Sequence, residues 1–144
     1  MKDVNEIRVI AWLMSIQLIS RGLDYATGNP NDGHGVFPSV EFNPALMWGV
    51  ACIVNALIVV VGLVAHNAVV ARNGAVMCGI TYASFAVMVV DDVFSGPFDD
   101  WRFLTSYVVA CGVWLTLAWW LSVRIAVINS RNDDNESGDS LTHE

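Results

Sequence analysis

The stretch MWGVACIVNALIVVVGLVAHNAVV, residues 47 to 70, carries no acidic or basic side chain other than His66. As a helix it exceeds the roughly 20 residues needed to cross about 30 Å of hydrocarbon. The rest of the chain has the same character. Of 144 residues 55% are hydrophobic and 15% charged, and a mean hydropathy of +0.51 lies well above that of a soluble domain. The solvent of this chain is therefore read as lipid.

Working outward from that stretch, cuts at charges and at Gly/Pro clusters leave apolar runs at about residues 7–23, 46–70, 75–94 and 103–125. They predict an all-α fold, a four-helix transmembrane bundle running up-down-up-down through residues 1–128. The first run contains Arg8 and Arg21, whose stems carry their charges towards the interfaces. It is read as retained and not as a cleaved signal, because MKDVNEIR balances acids with bases and RGLDYATG is a poor cleavage site. Residues 129–144, NSRNDDNESGDSLTHE, have the composition of a disordered acidic tail.

Basic residues near the spans set orientation. Lys2, Arg8, Arg72, Arg124 and Arg131 fall on one side, and Arg21 and Arg102 on the other. Both termini are accordingly expected in the cytoplasm. The turn between the second and third spans is then ARNG, residues 71–74, and the outward loops are about 24–45 and 93–101. Trp48, Trp101 and Tyr25 fall at the outer interface, and Trp12, Trp119 and Trp120 at the inner one. A formal charge of -7 with scattered bases excludes a nucleic-acid binder.

Polar groups within apolar runs are costly and mark the places to search for function. Gln17, Ser20, Arg21 and Asp24 share one face of the first helix, expected to turn inward. Arg21 and Asp24 are close enough in sequence to pair, with Asp91 or Asp92 as a second carboxylate. Those two acids, with Asp99 and Asp100, surround SGP and read as the wet corner of a hairpin, since a cation site needs more converging oxygens. Ala51, Asn55, Gly62 and His66 lie along one face of the second helix. Asn55 sits near mid-membrane as an interhelical hydrogen-bonding group, and His66 near the cytoplasmic end. Gly79, Ala83 and Ala86 on the third helix form one small-residue stripe, and Thr105, Gly112 and Thr116 on the fourth another. Such stripes are packing faces in lipid.

Cys52, Cys78 and Cys111 are isolated in separate runs without CxxC, and no hydrolase, zincin or nucleotide-binding motif is present. A non-enzymatic protein without a cofactor is expected. Arg21-Gly22-x-Asp24-Tyr25-x-x-Gly28, Trp48-Gly49, the short basic turn at Arg72, Tyr82 and the hydrophilic tail together resemble small four-span membrane proteins of actinobacterial bacteriophages. The resemblance implies a protein of the bacterial inner membrane that is holin-like, acting by self-assembly in the bilayer. An accessory protein that binds another membrane protein, or a small channel or transporter subunit using Arg21 and the outer aspartates, are the alternatives. The expected partners are the lipid bilayer and either further copies of the chain or another membrane protein.

Overall fold

The computed structural model describes the backbone of residues 2–27, 44–95 and 101–140, and the side chains of 6–27, 46–90 and 101–131. Among the described residues the chain is all-helical, with no strand. The helices are α1 (Lys2–Thr27), α2 (Pro44–Val64), α3 (Ala68–Ser95) and α4 (Trp101–Ser140). Leu46–Val64, Ala68–Val90 and Trp101–Arg131 are long and apolar enough to cross a membrane. The 26 residues of α1 reach about 39 Å as helix, but Arg8, Gln17, Arg21 and Asp24 dilute its apolar character.

The helices carry far more exposed apolar surface than those of a water-soluble bundle. On α2 the buried positions are Cys52, Asn55, Ala56, Val59 and Leu63, while Val50, Val54, Leu57, Val61 and Val64 are exposed. On α3 the exposed Val87 is 73% accessible, while Ala71, Ala75, Cys78 and Thr81 are buried. Small and polar groups thus share the inside with larger apolar ones, and many branched apolar groups lie outside. In water such a surface would aggregate; in hydrocarbon it costs nothing, because lipid tails are as apolar as leucine.

Neighbours in sequence are neighbours in space: α1 packs on α2, α2 on α3 and α3 on α4. Glycines set how closely the axes approach. A Cβ on Gly22 would lie 2.7 Å from the Gly49 carbonyl oxygen, and one on Gly49 would lie 2.7 Å from the Gly22 oxygen. The backbones of α1 and α2 therefore touch, as small residues permit in membranes. Gly79 of α3 fits against Leu115 and Trp114 of α4. Arg8 Nη2 donates to the Leu63 carbonyl at 3.2 Å, which ties the start of α1 to the end of α2. Tyr25, Trp48, Phe85 and Tyr107 meet at the opposite end.

Two boundaries differ from the sequence reading. The α2–α3 turn is not ARNG at 71–74; it is Ala65, His66 and Asn67, and Arg72, Asn73 and Gly74 lie within α3. The cause is capping at both sides of the break. Asn67 N–H donates to the Gly62 carbonyl at 2.9 Å across His66, which takes φ of 54°, so α2 ends in a left-handed cap. Asn67 Oδ1 then accepts from the Val69 and Val70 amides at 3.1 and 3.2 Å and starts α3. The second difference concerns the acidic stretch expected to be disordered: α4 continues through it to Ser140. Extending an existing helix avoids the nucleation cost that an isolated acidic segment would face. The loop at 28–43 with His34, the acids Asp99 and Asp100, and residues 141–144 lie outside the described residues, as do the side chains of Asp91 and Asp92.

Candidate functional site: an open groove between the edge helices

The buried stripe of α1 is Ala11, Ser15, Leu18 and Gly22, spaced as one helical face. Gln17, Ser20 and Asp24 are therefore rotated away from the core, contrary to the inward placement expected, while Arg21 reaches back over the buried Tyr107 and Tyr82 rings. Gln17, Ser20 and Asp24 are exposed and Arg21 is half-buried. All four line a groove of about 620 Å³, whose α1 wall also holds Leu13, Ile16 and Tyr25 and whose α4 wall holds Phe103 and Tyr107. The core-facing stripe of α1 is set by the Gly22–Gly49 contact, which turns the polar side of the helix towards α4.

Arg21 does not pair with Asp24, and no ion pair joins Arg21 to any of the described residues. Its guanidinium carbon lies 4.7 Å from the centre of the Tyr107 ring and 5.9 Å from that of Tyr82. Nη1 is buried and makes no hydrogen bond. Ring faces attract a cation, but they leave the N–H donors of the guanidinium without acceptors. The expected contribution of Asp91 or Asp92 lies outside the described side chains.

Beneath the cation is an aromatic cluster to which all four helices contribute. Phe85 is its hub, with ring centres 5.5 Å from Tyr25, 5.3 Å from Trp48, 6.4 Å from Tyr82 and 5.5 Å from Tyr107. The Tyr25 and Tyr107 hydroxyls are 3.4 Å apart and bridge the mouth from α1 to α4. Burial first, then this hydrogen bond, pushes the Tyr25 hydroxyl above its usual range and keeps it protonated. The Tyr82 hydroxyl is buried without a partner. Phe85 and Tyr107 were missed by the sequence reading, and Tyr82 entered it only through the resemblance. The available signal was Tyr82 and Phe85 three apart on one face of α3, which inside an apolar run is indistinguishable from ordinary core.

Further along, towards the His66 end, the same side of the bundle stays open. Ile7 and Ile10 of α1 face Val109, Gly112, Val113 and Thr116 of α4 across about 390 Å³. Gly112, expected to be a packing position, packs on nothing among the described residues: a Cβ there would meet none of their atoms within 4 Å. Thr105 and Thr116 are exposed too, and Thr116 Oγ1 bonds back to the Gly112 carbonyl at 2.8 Å. The α3 stripe differs, with Gly79 and Ala86 buried and Ala83 half-buried.

Asn55 and His66 lie apart from the groove and from each other. Asn55 Nδ2 donates to Thr81 Oγ1 at 3.0 Å, linking α2 to α3 in the core. Thr81 also donates to the Met77 carbonyl at 2.9 Å, so it keeps a partner if Asn55 is removed. An Asn55→Leu protein is therefore expected to lose only about 1 kcal/mol, read as a small shift in the SDS concentration that unfolds it in bicelles; a loss several times larger would contradict this assignment. His66 is exposed in the α2–α3 turn, beside a cavity of about 80 Å³ also lined by Arg8 and Arg124.

Among the described residues no group of three or more His, Cys, Asp and Glu side chains converges to hold a metal. The groove offers a cation, an acid, hydroxyls and an apolar floor, which is the chemistry of binding. No protein-family model, curated protein or solved structure matches this chain.

Proposed function

We propose that this is a small polytopic integral membrane protein that works without enzymatic chemistry, by assembling with copies of itself in a bacterial inner membrane in the manner of a holin. All four helices cross the bilayer up-down-up-down, α1 included, with both termini in the cytoplasm. The length of α1 suffices, and its polar residues face the groove, where water and protein groups can solvate them.

The reading is carried by Gly112. Gly22, Gly49 and Gly79 each hold a neighbouring helix at 3.0 Å or less from a would-be Cβ, whereas Gly112 faces open space between α1 and α4. A glycine notch flanked by Val109, Val113 and Thr116 is the surface by which helices associate in lipid. Among the described residues nothing covers that surface. A helix from another copy closes it.

The test is Gly112→Leu, which fills the notch from a position where a Cβ meets no atom of the described residues within 4 Å. Cross-linking in membranes and mass photometry in detergent are expected to show oligomers for the native chain and monomers for the variant, with unchanged helicity. Induced expression of the native chain should also collapse membrane potential and halt growth, and the variant should not. A native chain that stays monomeric would contradict the proposal, as would a Gly112→Leu chain that assembles equally well. Stoichiometric co-purification of a different membrane protein would favour the accessory role instead.

A further inference from the structure

The half of the groove near Tyr25 has features that helix packing alone does not explain. Arg21 and Asp24 line it together, less than one turn apart, yet they form no ion pair. Arg21 rests on Tyr107 with Nη1 buried and without an acceptor. Asp24 is exposed at the rim. A half-buried guanidinium with a nitrogen lacking an acceptor suits an anionic oxygen, and a carboxylate at the membrane surface suits a cation.

Because α1 ends at Thr27, Asp24 lies about 4.5 Å nearer the membrane surface than Arg21. Below them Ser20 and Gln17 still line the α1 wall, which becomes apolar at Ile16 and Leu13. From Asp24 to Leu13 the groove runs about 16 Å along α1, roughly half the 30 Å hydrocarbon thickness. The groove, one leaflet deep, therefore presents from the surface inward an anion, a cation, the polar Ser20 and Gln17, and an apolar inner end at Ile16 and Leu13.

We propose that this groove binds one phospholipid with a zwitterionic ethanolamine-type headgroup. Its phosphate oxygens accept from Arg21, its ammonium donates to Asp24, and an acyl chain lies along Ile16 and Leu13. That headgroup carries its ammonium outward of its phosphate, in the same order as the two side chains. A choline headgroup has no N–H to donate to Asp24. A glycerol headgroup brings no cation and would place its net negative charge beside the carboxylate. The site depends on α1 lying in the membrane but not on self-assembly, since Gly112 and the notch belong to the other half of the groove.

The experiment is native mass spectrometry of the full chain, released from mixed vesicles containing equal amounts of phosphatidylethanolamine, phosphatidylglycerol and phosphatidylcholine. The native protein is expected to retain one phosphatidylethanolamine per chain in clear preference to the other two. Arg21→Gln should lower retention of every phospholipid by about tenfold, the effect of losing one charge-assisted contact. Asp24→Asn should keep retention but abolish the preference for ethanolamine over glycerol headgroups. Ser20→Trp, which obstructs the groove from its exposed α1 wall without altering charge, should also abolish retention and covers the case in which Arg21→Gln does not fold. The proposal is overturned if the native chain retains no phospholipid, if it retains phosphatidylglycerol equally well, or if Ser20→Trp breaks oligomers while leaving bound lipid in place.

Discussion

Phe85→Ala is expected to destabilise the protein by about 3 kcal/mol, near the lower end for truncating a buried aromatic. Phe85 is fully buried and is where the four helices meet, touching Tyr25 of α1, Trp48 of α2, Tyr82 of its own helix and Tyr107 of α4. In lipid the unfolded helices remain solvated by hydrocarbon, so the transfer part of the usual loss is reduced. What remains is lost dispersion around the cavity and lost aromatic contacts, each ring pair contributing about 0.5 to 1.5 kcal/mol. Denaturation by SDS in bicelles should show the loss, and tryptophan fluorescence should report a changed Trp48 environment. Val87→Ala, at a position 73% exposed on the same helix, serves as the control and should be near neutral. A Phe85→Ala chain as stable as the control would mean that the aromatic cluster does not join the helices.

Replacing Gly22 by leucine should be at least as damaging, for a different reason. Its first side-chain atom would stand 2.7 Å from the Gly49 carbonyl oxygen and 2.7 Å from Ile53 Cγ1. A side chain such as Ile53 can yield, but a helix carbonyl cannot, so α1 must move away from α2. Overpacking of this kind costs about 1 to 3 kcal/mol when the surroundings can adjust, and here the obstruction is backbone. Gly49→Leu should reproduce the effect from the other side, since its Cβ would meet the Gly22 oxygen at 2.7 Å and the Ala26 nitrogen at 2.9 Å. Cross-linking between cysteines placed on α1 and α2 should drop sharply in both variants. Persistent cross-linking at native efficiency would show that the two helices do not meet through glycine. Gly112→Leu, by contrast, should leave this contact and the monomer fold intact.

The helical class and the three strongest apolar helices are legible because their pattern is plain in the sequence: long runs without charge, cut at Gly, Pro and Asp. The α2–α3 turn was not, because the cut was made at Arg72 and Gly74, the conspicuous residues, while the chain breaks at His66 and Asn67. Asn67 looks like a polar intruder in an apolar run until its side chain is seen capping the Val69 and Val70 amides. Helical spacing grouped Gln17, Ser20, Arg21 and Asp24 on one face, and all four line one groove. Avoidance of lipid by polar groups does not distinguish a core from a groove, and of the four only Arg21 reaches core rings. The Gly22–Gly49 contact decides between them, and it depends on two helices at once. Gly112 shows the same limit. A small-residue stripe identifies a surface suited to packing but not whether the chain itself covers it.

Substituted-cysteine labelling in sealed inner-membrane vesicles and intact cells tests most directly whether the four helices thread a bilayer. With the native cysteines replaced, Asn67→Cys in the α2–α3 turn and a cysteine ahead of Lys2 should react from the same, cytoplasmic side. Asp32→Cys, in the stretch between α1 and α2, should react only from the opposite side. Labelling of residues 32 and 67 from one side would mean that α2 does not cross. Labelling of the N-terminus and residue 32 from one side would leave α1 out of the membrane, and with it the groove that α1 forms with α4.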